Sequence, residues 1–389
     1  MANEKKFITK NDWVSSFTLI GTPKINDYTY KINEKSEKSS WIYNSLNLGV
    51  DCGDKHGTVY CEMMGGYSED NQNVIYAHGK KDDGSDDFSS QIIVDWDDRF
   101  DDNVLEAIGD LSFITIGLQK TDKGKTYYKK FLSAYDAIAY IKEHLEEDMV
   151  INVRGTLKYS MYQDKVQVRK NINSIVLSKV DDANKYVAHF TQSILINKDS
   201  VSLKNINKDK SAVYIDAKVL DYLKEYNGIE VKGQYPFNKQ FEFPMDFSNE
   251  AQCKKIMEKV FKVKKGYTQI TFEGDIIEGG AVVTATWDDV PQDVKDLVEC
   301  GLYSEEEAIA SCSSNGSREQ HMILRKPMVR LVGDDKKPVL QKFEERYKDE
   351  DLVLDYLYVD HDEDEEESDN ESVTESSDVG GDMDWLNAL

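Results

Sequence analysis

Between Arg154 and Lys179 the chain carries Arg154, Lys158, Lys165, Arg169, Lys170 and Lys179 against a single acid, Asp164, inside a protein whose formal net charge is -25. Strand alternation puts Arg154, Thr156, Lys158 and Ser160 on one face, and Val153, Gly155, Leu157 and Tyr159 on the other. The same rule groups Lys165, Gln167 and Arg169 opposite Val166 and Val168. Two adjacent strands that line up cations on one face form a groove able to follow phosphates. Just upstream, Lys120, Lys123, Lys125, Tyr127, Tyr128, Lys129, Lys130 and Phe131 make a second basic and aromatic run, opposed only by Asp122. Cations neutralise phosphates while aromatic faces stack bases at roughly 1–3 kcal/mol per base, a mixture suited to sequence-independent binding of a single strand. The expected binding set is Lys123, Lys125, Tyr127, Tyr128, Lys129, Lys130, Arg154, Lys158, Tyr159, Tyr162, Lys165, Arg169 and Lys170. Tyr127, Tyr128, Tyr159 and Tyr162 are its stacking candidates, and Trp41, Tyr43 and Tyr60 could extend the platform. Lys254, Lys255, Lys259, Lys262, Lys264 and Lys265 also cluster, and read as a solvated helix face.

Bond-making chemistry finds little support. The chain has no phosphate loop of the GxxxxGK[ST] type, no GxGxxG, no HExxH and no GxSxG. Its six histidines, His56, His78, His144, His189, His321 and His361, are scattered. The cysteines Cys52, Cys61, Cys253, Cys300 and Cys312 form no CxxC pair, so no zinc site, disulfide framework, metal or cofactor is expected. The pairs Asp82-Asp83, Asp97-Asp98 and Asp101-Asp102 leave open a two-metal nuclease. A binding protein without enzymatic activity is the main expectation.

The end of the chain carries a second kind of signal. From Asp360 to Asp384 there are thirteen acids and no Lys or Arg, which leaves 48 basic against 60 acidic residues in the rest. Such a segment repels itself and has no apolar area to bury, so it is expected to be a disordered tail. Ser368, Ser372, Ser376, Ser377 and Gly380-Gly381 read as a spacer before Asp382-Met383-Asp384-Trp385-Leu386-Asn387-Ala388-Leu389. Asp382, Asp384, Trp385 and Leu386 have the make-up of a tip that enters an apolar pocket ringed by basic residues on a partner.

The elements that must position these residues are mostly strands. Short runs of Tyr, Val, Ile and Thr predict strands at Phe17–Ile25, Trp41–Val50, Thr58–Gly65, Gln91–Trp96, Phe113–Gln119 and Thr126–Leu132. A helix is predicted at Ala134–Leu145, where Ile138, Ile141 and Leu145 recur at helical spacing. Two long strands, Val150–Met161 and Lys165–Leu177, follow around the turn Tyr162-Gln163-Asp164. Several strands, one helix and a closing hairpin is the element order of an OB-fold, with Asp70–Asp87 as an inserted surface loop. After a break near Asp181-Asn184 the pattern recurs: strands at Tyr186–Ile196, Ala212–Val219 and Ile229–Phe243, then a helix at Glu250–Phe261. Strands at Thr268–Ile277, Ala281–Thr286 and His321–Val332 complete it, with helices at Pro291–Cys300 and Ser304–Ala310. A second OB-like barrel and a β-sandwich both fit. Val339–Lys348 reads as a charged helix and Leu352–Tyr358 as a packing segment. The expected class is mainly β with minor helices, in four parts: 1–182 an OB-like nucleic-acid-binding domain, 183–337 a second β-rich domain, 338–358 a helical packing segment, and 359–389 the acidic tail. No leader or membrane-spanning run is seen, which predicts a cytoplasmic protein, in host cytoplasm if viral.

This arrangement resembles the single-stranded-DNA-binding proteins of bacteria and of bacteriophage replication systems. They combine an OB-fold body, an acidic tail and an aromatic-containing tip that recruits replication partners. Asp382, Asp384 and Trp385 match that tip, while Leu386–Leu389 extend past it. The greater length makes a phage replication protein the nearer likeness. The resemblance implies a protein that coats single-stranded DNA in DNA replication or recombination and recruits a polymerase, primase or helicase through its tip. A structural or assembly protein of a virion remains the alternative from another class.

Overall fold

In a computed structural model of the chain, residues 7–163, 165–180, 182–201, 206–207, 211–226, 228–279, 319–332 and 336–354 are described, with isolated positions between 280 and 318. The acidic tail and its tip, the strand expected at Ala281–Thr286 and the helices at Pro291–Cys300 and Ser304–Ala310 lie outside these residues or rest on them only at single positions.

The N-terminal half contains β1 (Ser15–Lys24), β2 (Tyr30–Lys35), β3 (Trp41–Asp51), β4 (Thr58–Ser68), β5 (Val74–Lys80) and β6 (Asp86–Asp95). They are followed by α1 (Asp102–Ala107), β7 (Ile114–Lys120), β8 (Thr126–Phe131), α2 (Ala134–His144), β9 (Ile151–Tyr162) and β10 (Lys165–Leu177). Five of these strands close a ring. β1 pairs antiparallel with β3, β3 with β4, β10 with β9 and β9 with β1, while β4 and β10 meet in parallel at Glu62 and Asn171. With α2 between the third and fourth strands of the ring, this is the OB order that the sequence predicts. Leu19, Leu46, Leu48, Val50, Val153 and Leu157 fill it because alternate residues of each strand turn inward.

Closure needs a close approach at Gly155. A Cβ there would fall 1.9 Å from the Asn171 carbonyl oxygen and 2.7 Å from the Phe17 ring, so no larger residue fits. Ser133 caps α2 by accepting from the Tyr135 N–H at 3.1 Å, and Ala137, Ile138 and Ile141 bury the helix against the barrel.

Where an inserted loop is expected at Asp70–Asp87, β5 and β6 instead pair as a hairpin. It has its own small core of Ala77, Val94, Ile108, Phe113 and Leu132. β2, which the sequence reading lacks, adds to the outer edge of β3.

The C-terminal half contains β11 (Val187–Ile196), β12 (Ile206–Asn207), β13 (Ala212–Tyr226), β14 (Ile229–Pro244), α3 (Glu250–Ile256), β15 (Tyr267–Gly279), β16 (Glu319–Pro327), β17 (Val329–Val332), β18 (Lys337–Leu340) and β19 (Lys342–Tyr347). α3 runs on into a π turn at Met257–Phe261. Here β11, β13, β14, β16 and β15 pair in turn around a second ring, antiparallel except for β14 and β16, which meet in parallel at Glu242 and Ile323. The strand order is that of the first ring. The expected helix at Val339–Lys348 is instead β18 and β19, and β19 pairs with β15 and buries Tyr347, whose hydroxyl donates to the Thr9 carbonyl at 2.7 Å.

β1 and β11 join the rings, pairing from Ser15 and Gln192 to Ile20 and Val187, so one apolar core runs through both. A polar seam reinforces the joint. The turn between β3 and β4 carries Lys55 and His56 onto β15: Lys55 Nζ lies 2.9 Å from buried Asp275, and the ring of His56 meets the Ile276 carbonyl at 2.9 Å. Asp275 also takes His189 at 2.9 Å and contacts Arg325. Burial alone would raise its carboxyl, but Lys55 and Arg325 outweigh that and hold it below its ordinary range. Three residues on, buried Glu278 pairs with Lys170 and accepts from the Tyr60 N–H at 2.9 Å and the Gln320 amide at 3.0 Å.

Candidate nucleic-acid interface

The burial of β9 alternates as its sequence predicts: Val153, Gly155, Leu157 and Tyr159 are buried, while Arg154 and Lys158 are exposed. On β10, Lys165, Gln167 and Arg169 are exposed. The hairpin brings these sets together because Lys158 is the direct cross-strand partner of Arg169, and Ser160 that of Gln167. At the tip Lys165 opposes Tyr162, which is 59% exposed, and Gln163 turns the chain with a φ of 47°.

From Arg154 the face continues sideways. Arg154 opposes Ser174, Ser174 lies beside Thr115 of β7, and Thr115 opposes Lys130 of β8. Directly paired residues share a face, so Lys130 joins that of Arg154. Tyr128 joins it too. A Cβ at Gly117 would lie 3.0 Å from the Tyr128 ring, so the glycine seats the aromatic ring on this side. Tyr162, Lys165, Lys158, Arg169, Arg154, Tyr128 and Lys130 thus form a diagonal track. From Lys165 to Val176, level with Gly117, it runs on the order of 35 Å along β10.

Acids temper the track. Lys158 Nζ is 3.4 Å from Asp221 of the second ring, Arg169 is 3.8 Å from Glu62, and Lys130 is 3.0 Å from Asp110. Asp221 is buried, accepts the Tyr159 N–H at 2.9 Å, and also faces Lys10 at 3.9 Å. Burial outweighs this carboxylate and lowers the pKa of Lys10.

The remaining expected residues fall elsewhere. Tyr127 and Lys129 sit on the opposite face of β8, toward α2, with the Lys129 ammonium 4.7 Å from the Tyr140 ring. Lys123 and Lys125 are exposed in the turn between β7 and β8, at the far end of the sheet from Tyr162. Tyr159 is a core residue: it is 3% exposed, its hydroxyl is 3.2 Å from Gln192 Oε1, and burial pushes its pKa up. Lys170 is likewise internal at 5% exposed, with Glu278 as its partner. Both places follow from alternation, since Tyr159 shares parity with Leu157 and Lys170 with Val168. Trp41 and Tyr43 stack on each other with ring centroids 4.9 Å apart on the outer face of β3, separated from the track by β4.

Among the described residues no group of three or more His, Cys, Asp or Glu side chains could hold a metal ion. Asp101 caps α1 by accepting from the Asn103 and Val104 N–H groups. No helix among them is long and apolar enough to cross a membrane.

No curated protein matches the chain. Among solved structures, a deletion variant of the single-stranded DNA binding protein from Thermus aquaticus is similar at 9% identity and a TM-score of 0.30, over 68% of this chain and 87% of that one. A family model described as YorF matches residues 81–310, well over half of the sequence and parts of both rings, and the chain belongs to the YorF family.

Proposed function

We propose that the protein is a non-enzymatic single-stranded-DNA-binding protein of DNA replication or recombination. The observation that carries this reading is the pairing of Lys158 with Arg169 on an exposed barrel face that also presents Arg154, Lys130, Tyr128 and Tyr162. Cations spaced along the track neutralise successive phosphates, and the two exposed tyrosines offer stacking faces that no base sequence restricts. Phosphate-dominated binding is strongly salt-dependent. In this reading the acidic segment after Tyr358 competes weakly for the track, and the tip around Trp385 recruits a replication partner. Its test is a fluorescence titration with oligo-dT, full-length protein against a chain ending at Tyr358. Submicromolar binding at low salt that is tighter without the acidic segment supports the reading. Equal affinity for duplex and single strand overturns it.

A further inference from the structure

The second ring carries a basic surface that the first-ring track does not use. α3 and the π turn after it bury Cys253, Met257 and Phe261, the last with its ring centroid 5.0 Å from that of Phe243 and 5.8 Å from that of Phe272. The other side of the helix therefore faces water, and Lys255 and Lys259, four residues apart, are exposed there as neighbours one turn from each other. The segment that leaves the helix adds exposed Lys262 and Lys264. Lys342 of β19 reaches the same end by donating to the Lys262 carbonyl at 3.0 Å. Burial lowers the pKa of Lys342, Glu344 opposes that, and Lys264 adds to it through its own charge, so these two cations are close.

Among the described residues Lys255, Lys259, Lys262 and Lys264 form no ion pair. Lys254 engages Glu250 one turn away, which leaves Glu258 on the helix side and Glu344 on β19 to oppose them. Cations at a helix C-terminus are ordinarily explained by its dipole, yet here Lys342 already meets the terminal carbonyls of Lys259 and Lys262.

The acidic run of the chain begins close to this surface. Leu352 and Leu354 are buried, and Leu352 and Val353 line a cavity of about 390 Å³ together with Lys265 and Gly266, the two residues that follow Lys264. Asp360 is six residues past Leu354, a span of at most about 20 Å. Asp360–Glu367 holds seven acids and one histidine. The covalent tether thus raises the effective concentration of these carboxylates beside the lysines.

We propose that Asp360–Glu367 docks on Lys255, Lys259, Lys262 and Lys264 of its own chain, away from the DNA track. Held there, the acidic segment competes only weakly for the track. That consequence rests on the single-strand-binding reading, while the docking does not.

Full-length, DNA-free protein is coupled with a zero-length carbodiimide, and the linked residues are mapped by mass spectrometry. Amide links from Asp360–Glu367 to Lys255, Lys259, Lys262 and Lys264 that outnumber those to Lys130, Lys158 and Lys165 of the track, and that fade at high salt, support the docking. Links chiefly to the track, links spread evenly, or none overturn it. Next, Lys255→Gln/Lys259→Gln/Lys262→Gln/Lys264→Gln is titrated with oligo-dT, both at full length and in the chain ending at Tyr358. The released segment competes harder, so affinity falls at full length alone, about fivefold for four exposed ion pairs at roughly a factor of 1.5 each. A loss in both forms means that these lysines hold DNA, and a loss in neither that nothing docks on them; either overturns the proposal. Should wild-type protein bind no single strand, the function proposed above fails, and the coupling experiment alone decides the docking.

Discussion

Lys170 separates a structural from a binding role most sharply. The sequence places it in the basic hairpin, yet the fold turns it inward onto Glu278, both side chains being about 95% buried. Lys170→Met leaves a buried carboxylate with two neutral donors, the Tyr60 N–H and the Gln320 amide. Removing one partner of a buried pair costs about 3–5 kcal/mol, and the two remaining donors favour the low end. At roughly 2–4 °C per kcal/mol for a domain of this size, the melting temperature falls by about 6–12 °C. Scanning calorimetry on Lys170→Met, Glu278→Gln and the double variant closes a thermodynamic cycle. The double variant is expected to recover part of the loss, because no charge is then left buried. Below the melting transition the salt slope of oligo-dT binding stays at the wild-type value, since Lys170 meets no phosphate. A melting temperature within 1 °C of wild type, or a slope reduced by about 0.7 as for a lost phosphate contact, rules out a purely structural role for Lys170.

Three further outcomes are expected. Tyr128→Ala weakens oligo-dT binding by about 1–3 kcal/mol, whereas Tyr127→Ala, on the α2 side of the same strand, leaves it unchanged in the same titration. Burial lowers the pKa of His56, so the unfolded chain takes up its proton more readily than the native one. Its contribution to stability is therefore present above the unfolded value of about 6.5 and lost as pH falls below it. Urea melts at stepped pH are expected to show that loss, and His56→Gln to flatten it. Burial raises the thiol of Cys52 to about 12 and that of Cys61 further, while Cys300 is exposed. In a Cys300→Ser/Cys312→Ser background, Cys52 and Cys61 react with a thiol reagent only after unfolding, read as the release of coloured thiolate.

The local half of this organisation was legible in the residues. Alternation along β9 and β10 foretold which side chains face out, and the helical spacing of Ile138, Ile141 and Leu145 foretold α2. Alternation, applied strictly, also separates Tyr159 and Lys170 from the exposed set. What the sequence hid depends on distant pairing. Lys342 to Lys348 has the charge density of a solvated helix, and becomes β19 because β15 offers an edge and a site for Tyr347. The split of Tyr127 from Tyr128 follows from β8 adding to β7, and β7 to β10, which sends alternate residues toward α2. The seam of Lys55, His56, Asp275 and Glu278 left no local mark, because its members come from strands some 220 residues apart that meet only after both rings close.

In the proposed function the Lys158 and Arg169 pair tracks the phosphates of a single strand. Its most direct test is the salt dependence of oligo-dT affinity for wild type and Lys158→Ala/Arg169→Ala, with duplex of equal length alongside. Tighter binding of single strand than of duplex is expected, with a slope smaller by about 1.4 in the variant. A variant with wild-type slope and affinity, or a wild type that binds duplex equally well, contradicts it.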